Sequence, residues 1–193
     1  HKLFLDPSWG FTLSDLMSSL RKGALDAVCV EVSPDAFKGP MEGIYPPEAA
    51  AISELFDKLI PVFPTDWRAP RSLYKELSQD TKSQLATIKA SFDKEMALAP
   101  NKIYYAISRE GESKIKKMHE TIVTRDGQEA DGFWITRNEK IAENCLKESL
   151  GKNYRRVGVI YGIDHLYVVK KNFEDLGYRA SNGILHSTKE DLI

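Results

Sequence analysis

The chain has 193 residues, of which 42% are hydrophobic and 28% are charged, and this balance excludes a disordered chain or a disulfide-stapled mini-fold. Its 27 basic and 28 acidic residues nearly cancel, so we expect no nucleic-acid partner and no attraction to an anionic membrane. No apolar run approaches the roughly 20 residues that cross a bilayer, so we expect a soluble protein with no integral membrane segment, a cytoplasmic location being favoured and the oligomeric state open.

The first third of the chain alternates helical and strand patterns. Residues 14–23 have helical apolar spacing, with Thr12 or Ser14 as the cap and Gly23 placed to end the helix. Residues 26–32 are short, β-branched and apolar on both faces, which is typical of a parallel strand covered by helices. A second helix and strand follow at 49–64, and this order predicts a parallel sheet.

The middle of the chain has a different pattern. Residues 71–122 are helical in spacing but rich in polar residues, which predicts a helical insertion or lid rather than a separate domain. Further along, the patterns predict a helix, a strand, a second helix and the start of a last strand, at 133–150, 156–161, 165–176 and 178–180. We therefore predict a single α/β domain over residues 1–193, with a mainly parallel central sheet flanked by helices.

The turn Gly162-Ile163-Asp164-His165 follows the clearest strand pattern in the chain. Gly162 is expected to adopt a backbone conformation that other residues resist, and His165 to project from the carboxyl edge of the sheet. A histidine there could bind a metal, act as a general base or donate a hydrogen bond to an oxyanion. It could equally pack the turn without any chemistry.

Two carboxylates, Glu31 and Asp66, close separate predicted strands. If these strands are parallel neighbours, both groups converge with His165 on one edge, where mixed ligands suit zinc or manganese. Each carboxylate could instead cap the turn that follows it. Arg68 and Arg137, near the ends of predicted elements, could pair with the carboxylates, hold an anionic substrate group or lie exposed at the surface.

Other notable side chains are expected to be structural. Cys29 and Cys145 fit small buried hydrophobes better than a disulfide or metal pair. His119 and His186 are expected at the surface. Aromatic residues expected mainly in the core are Trp9, Phe11, Trp67, Phe133 and Trp134. The common nucleotide, dinucleotide, serine-hydrolase and zinc-protease motifs are not found in the sequence.

Five segments, in this order, resemble the Tiki/TraB and erythromycin-esterase/ChaN-like superfamily: 30–35 (VEVSPD), 47–51 (PEAAA), 65–68 (TDWR), 136–142 (TRNEKIA) and 161–166 (YGIDHL). The closing strand, Gly-x-x-His, helix and Leu-Gly-Tyr run is also similar to that group. The resemblance spans most of the chain outside the predicted insertion. Its members carry two Gly-x-x-His motifs, of which the second matches 162–165 and the first is represented here only by His1.

The resemblance implies roles for particular residues. His165, Glu31 and His1 would be metal ligands. Supporting catalytic residues would be Glu48, Asp66, Arg68 and Arg137. Because the superfamily includes metal-dependent peptidases, esterases and haem-uptake proteins, membership alone does not decide the reaction.

We therefore carry three functional hypotheses. The first is a metal-dependent hydrolase of small-molecule or peptide substrates, with Mn, Co or Zn held by His165, Glu31 and, where its motif is present, His1. Glu48 or Asp66 would take the proton from water, and Arg68 or Arg137 would stabilise the developing negative charge. The second is a non-catalytic haem- or ligand-binding protein of the ChaN-like type, with Tyr161, Tyr167 or a histidine as axial ligand. The third is a metal-free esterase that uses His165 as base.

Overall fold

The secondary structure is described for residues 7–38, 46–56, 59–150 and 152–181 of a computed structural model. Its helices are α1 (Leu13–Lys22), α2 (Pro47–Phe56), α3 (Gln79–Leu98), α4 (Lys102–Ala106), α5 (Arg109–Asp126), α6 (Trp134–Leu150) and α7 (Leu166–Asp175). Its strands are β1 (Ala27–Val30), β2 (Val62–Pro64) and β3 (Val157–Ile160). Among these described helices, none is long and apolar enough to cross a membrane.

The three strands form one parallel sheet in the order β2-β1-β3. Val28 pairs with Val62 on one side of β1 and with Gly158 on the other, so β1 is the central strand. All four residues of β1 are fully buried, as the run of apolar residues on both faces predicts. The α/β fold class with a parallel sheet flanked by helices is therefore confirmed.

Helices cover both faces of this sheet. Val28 and Val30 point to the layer formed by α1 and α2, where Leu16, Leu20 and Ile52 pack against them. Cys29, which lies between these two residues in β1, faces the opposite layer. It packs with Ile141 and Cys145 of α6 and with Val169 of α7. Because side chains alternate along a strand, one buried strand joins two separate apolar layers.

The helical insertion lies between β2 and α6 in the chain. Its first part is not one continuous helix, because a 3₁₀ turn at Arg71–Leu73 precedes α3, which begins only after the cap at Ser78. Helix α5 packs along α3 and also contacts α7 and the 3₁₀ turn Ile163–His165. Residues 178–180 are not in a strand, so the predicted last strand does not begin there.

Candidate functional site

The residues that follow the three strands meet at the carboxyl edge of the sheet. Glu31 comes directly after β1, Asp66 lies shortly after β2, and His165 closes the turn after β3. Their relative exposures are 8%, 3% and 3%, so all three are buried. The parallel pairing required for this convergence is present, with β1 between β2 and β3.

Arg137, on the first turns of α6, joins the two carboxylates. Its Nη2 donates to Glu31 Oε1 at 3.0 Å and to Asp66 Oδ2 at 2.9 Å, while its Nε donates to Asp66 Oδ1 at 2.8 Å. Arg68 donates only its Nε to Asp66 Oδ2, at 3.1 Å, and its side chain is 62% exposed. Thus one arginine is built into the buried cluster, and the other stands at its solvent side.

The second oxygen of Glu31 is held by the turn after β3. The backbone N–H of Gly162 donates to Glu31 Oε2 at 2.7 Å. Gly162 has φ −53° and ψ 145°, a conformation open to any residue, so the predicted need for glycine's backbone freedom is wrong. What this position contributes is a peptide N–H that orients a buried carboxylate.

His165 is held in one orientation by Asn138 of α6. Asn138 Nδ2 donates to the carbonyl of Trp134 at 2.7 Å, which leaves its Oδ1 to accept from His165 Nδ1 at 2.6 Å. The hydrogen therefore sits on Nδ1, and Nε2 carries the lone pair when the ring is neutral. This Nε2 lies 3.6 Å from Glu31 Oε1.

The charge state of the cluster follows from burial and pairing. Burial lowers the pKa of His165, although the neighbouring Glu31 opposes that shift, so the imidazole is neutral at pH 7. Burial also acts to lower the pKa of Arg137, but Asp66 and Glu31 outweigh it and leave this pKa above its usual value. The site thus combines a neutral histidine with a guanidinium shared by two carboxylates.

A second set of hydrogen-bonded polar side chains lies next to this cluster. Thr65 Oγ1 and the Tyr161 hydroxyl are 2.9 Å apart, and Cys145 Sγ donates to Thr65 Oγ1 at 3.3 Å. Burial raises the pKa of Tyr161, so its hydroxyl stays protonated. The Tyr167 hydroxyl accepts from Trp134 Nε1 at 3.2 Å. Both tyrosines considered as haem ligands are therefore engaged in side-chain hydrogen bonds, and the haem hypothesis stays a prediction.

The remaining predicted site residues are placed differently. Glu48 is buried, at 5% exposure, in the first turn of α2, and its catalytic role stays a prediction. His1 lies outside the described residues. Over the described part of the chain, no three or more His, Cys, Asp or Glu side chains are grouped in a way that could hold a metal ion.

The donors that do meet, His165 and Glu31, fit part of a metal site. The atoms His165 Nε2 and Glu31 Oε1 are 3.6 Å apart. One ion could bind both of them, because each metal–ligand distance is about 2.0–2.2 Å. An imidazole whose other nitrogen donates to a fixed acceptor is also typical of metal ligands. Arg137 opposes this fit in one respect, because its positively charged guanidinium already donates a hydrogen bond to Glu31 Oε1.

Two residues that sequence analysis did not assign to the site are Asn138 and Trp134. They lie four positions apart on α6 and share its inward face with Ile141, Ala142 and Cys145, all buried. The sequence signal for Asn138 is a polar side chain at a position that helical spacing places on this apolar face. Trp134 is buried, as expected for a core aromatic residue, but its ring centroid lies 4.3 Å from that of His165.

Comparison with known proteins adds nothing to this geometry. No family model, curated protein or solved structure matches the chain. The resemblance to the Tiki/TraB and erythromycin-esterase/ChaN-like superfamily therefore stays a prediction.

Proposed function

We propose that this protein is a metal-dependent hydrolase, peptidase- or esterase-like, whose site lies at the carboxyl edge of the sheet. The observation that carries the proposal is the pair formed by His165 Nε2 and Glu31 Oε1 at 3.6 Å. Both atoms offer lone pairs when the imidazole is neutral, and two such atoms attract a cation or a proton donor between them. Asn138 directs the histidine lone pair towards this position.

His165 and Glu31 would hold the ion, together with a ligand from outside the described residues such as His1. A divalent ion of the Mn, Co or Zn type would supply a bound water with a pKa of about 7 and would polarise a substrate carbonyl. Gly162 N–H and Arg137 fix the two oxygens of Glu31, so little reorganisation of that carboxylate is needed. The resemblance to a superfamily that includes metal-dependent hydrolases supports the same proposal.

The two arginines take different parts in this proposal. Asp66 accepts from Arg137, from Arg68 and from the backbone N–H of Trp67, so its role is to anchor the arginines rather than to take a proton. Arg137 is committed to the buried carboxylates. Arg68, with only its Nε engaged in the cluster, has exposed N–H groups that can face a negatively charged part of a substrate.

The proposal is tested by metal analysis and hydrolysis assays on the purified protein. We expect Mn, Co or Zn to stimulate cleavage of simple ester or peptide substrates. We also expect this stimulation to be lost in His165→Ala and Glu31→Gln. A matched control is His186→Ala, which removes a histidine that the proposal does not use.

Two results would overturn the proposal in different ways. Hydrolysis that is lost in His165→Ala but survives complete chelation would replace it with a metal-free esterase that uses His165 as base. Absence of hydrolysis with every added metal, together with no metal bound by the purified protein, would reject the hydrolase altogether.

A further inference from the structure

A hydrogen-bonded pair of polar side chains connects the helical insertion to the candidate site. His119, on α5, has its Nδ1 3.0 Å from both carboxylate oxygens of Asp131, which precedes α6. The two side chains are 16% and 4% exposed. The expectation that His119 lies at the surface is therefore wrong, because most of its side chain is covered and its ring packs on Trp134.

The pair reaches His165 through Trp134. The imidazole of His119 stacks on the indole, with ring centroids 4.0 Å apart and an angle of 6° between the planes. The same indole lies 4.3 Å from the ring of His165, and the Trp134 carbonyl accepts the amide of Asn138 that orients His165. Trp134 is thus tied to His165 by a ring contact and by a hydrogen-bonded route.

The backbone before α6 also restricts Trp134. Gly132 and Phe133 have φ of 60° and 58°, and this left-handed region is uncommon for a bulky residue such as Phe133. The N–H of Phe133 donates to the carbonyl of Gln128 at 2.7 Å, which closes the loop. Asp131 and Trp134 are therefore presented by one tightly constrained segment.

A covering role alone does not account for this pair. Burial raises the pKa of Asp131, which means that the carboxylate is disfavoured there even beside His119. Replacing both partners of a buried hydrogen bond with apolar groups of similar shape can be nearly neutral or stabilising. An apolar side chain could therefore cover Trp134 at lower cost, whereas a directional hydrogen bond fixes how the ring of His119 lies on the indole.

We propose that His119 and Asp131 are positioning residues through which the insertion fixes Trp134 and, with it, the orientation of His165. This inference deepens the proposed function and rests on it for its effect on catalysis. It also identifies what the insertion does for the site: α5 supplies the imidazole that packs against Trp134, besides contacting the turn Ile163–His165. Neither residue needs to touch the substrate.

The decisive variant replaces both partners with apolar groups, His119→Phe with Asp131→Leu, so that neither partner is left without its hydrogen bond. We expect this double variant to fold and to unfold at a temperature close to that of the wild type. We expect its kcat to fall roughly 10- to 100-fold with KM nearly unchanged, since small displacements of a catalytic group cost this much. The single variant Asp131→Asn keeps an oxygen that accepts from His119 and should retain most of the wild-type kcat.

A second measurement does not depend on hydrolysis. Long-range ¹H–¹⁵N correlation spectra at one fixed pH show which ring nitrogen of His165 carries the hydrogen. We expect a single Nδ1–H form in the wild type and in Asp131→Asn, and a mixture of forms in the double variant. The control is Lys116→Ala, which breaks an exposed pair with Glu120 on the same helix and should change neither kcat nor the spectrum.

The outcomes separate this inference from the proposed function. A double variant that folds, keeps its kcat and keeps the single Nδ1–H form would show that the pair only covers Trp134, and the inference would be overturned. If the wild type hydrolyses nothing, the proposed function fails and the spectra alone decide whether His119 and Asp131 position His165. An equal loss of kcat in the double variant and in Asp131→Asn would also count against the inference.

Discussion

Arg137 is the residue on which the buried charges of the site depend. Its side chain is 13% exposed and it is the shared partner of Glu31 and Asp66. Arg137→Met would leave both carboxylates buried without this cation. Since breaking a buried ion pair by removing one partner costs about 3–5 kcal/mol, we expect a loss of this size in the free energy of unfolding. Urea denaturation measures it.

Arg68→Met is the matched control for this substitution. Arg68 also bonds Asp66, but its side chain is 62% exposed and solvent screens the interaction. We expect the stability of Arg68→Met to stay close to that of the wild type. Equal losses in the two variants would mean that Arg137 is not the main counter-charge of the cluster.

His165 makes the stability of the metal-free protein depend on pH. Burial lowers its pKa from the usual 6.5 in the folded chain. At pH values between the folded and the unfolded pKa, the unfolded chain binds more protons at this residue than the folded chain does. The free energy of unfolding therefore falls as the pH drops below about 6.5. We expect His165→Gln to lose this part of the acid sensitivity. The measurement is urea denaturation, with a chelator present, of both proteins from about pH 7.5 to about pH 5.

The two proteins differ only at His165, so the difference between the two curves reports the effect of this residue. The wild type should lose stability faster than His165→Gln over this range. Parallel curves would mean that His165 ionises in the folded protein as readily as in the unfolded one.

The sequence allowed part of this site to be predicted, for physical reasons that can be named. Glu31, Asp66 and His165 follow strand patterns, and parallel strands bring their carboxyl ends to one edge. The helical spacing of α6 places Asn138 on its apolar face, so its burial could have been predicted, but its contact with His165 could not. That contact, like the contact of His119 with Trp134, depends on how α6 and α5 pack against the sheet.

The helices of the insertion depend on one close approach of backbone to backbone. A Cβ added to Gly111, in the first turn of α5, would lie 2.4 Å from the carbonyl oxygen of Tyr105 and 2.7 Å from that of Ala106. Alanine is the better helix former by about 1 kcal/mol. We nevertheless expect Gly111→Ala to destabilise the protein by roughly 1–3 kcal/mol, because the backbone of α4 would have to move. Thermal unfolding checks this prediction.

Ser113→Ala provides the comparison on the same helix, since Ser113 is exposed. We expect that substitution to be neutral or slightly stabilising. If Gly111→Ala were equally harmless, the close approach of α4 to α5 would not be needed for the fold.

Element boundaries show where local patterns stop being informative. Thr12 caps α1 through a capping box with Asp15, one of the two caps that the sequence allowed. The end of α1 differs from expectation: Gly23 keeps a right-handed φ of −66°, and Ala24 takes the positive φ of 45°. A glycine near a helix end therefore indicated the end of the helix, but not which residue adopts the left-handed conformation.

The layered architecture follows from the sequence more directly than the site does. The apolar run of β1 requires cover on both faces, and the order of helices and strands requires parallel pairing. Both patterns extend over many residues, so a misinterpreted residue at one position does not change the predicted architecture. The extent and docking of the insertion depend on a few side chains, and the sequence predicts only that it is helical.

The two cysteines provide a test of the whole three-layer packing. The chain contains 2 cysteines, Cys29 in β1 and Cys145 in α6, and both are buried. The neighbouring Cys145 thiol, together with burial, raises the pKa of Cys29, so that little reactive thiolate forms. We expect neither thiol of the native protein to react with a thiol-specific reagent unless α6 separates from the sheet.

The modification rate should therefore follow global unfolding. It should rise with urea in parallel with the unfolded fraction, and both thiols should react in the denatured protein. Cys145→Ala leaves Cys29 as the single reporter of the central strand. Fast modification of Cys29 in the absence of denaturant would show that α6 opens from the sheet without global unfolding. The cluster formed by Arg137, Asn138 and His165 would then not be preorganised, because Arg137 and Asn138 are carried by that helix.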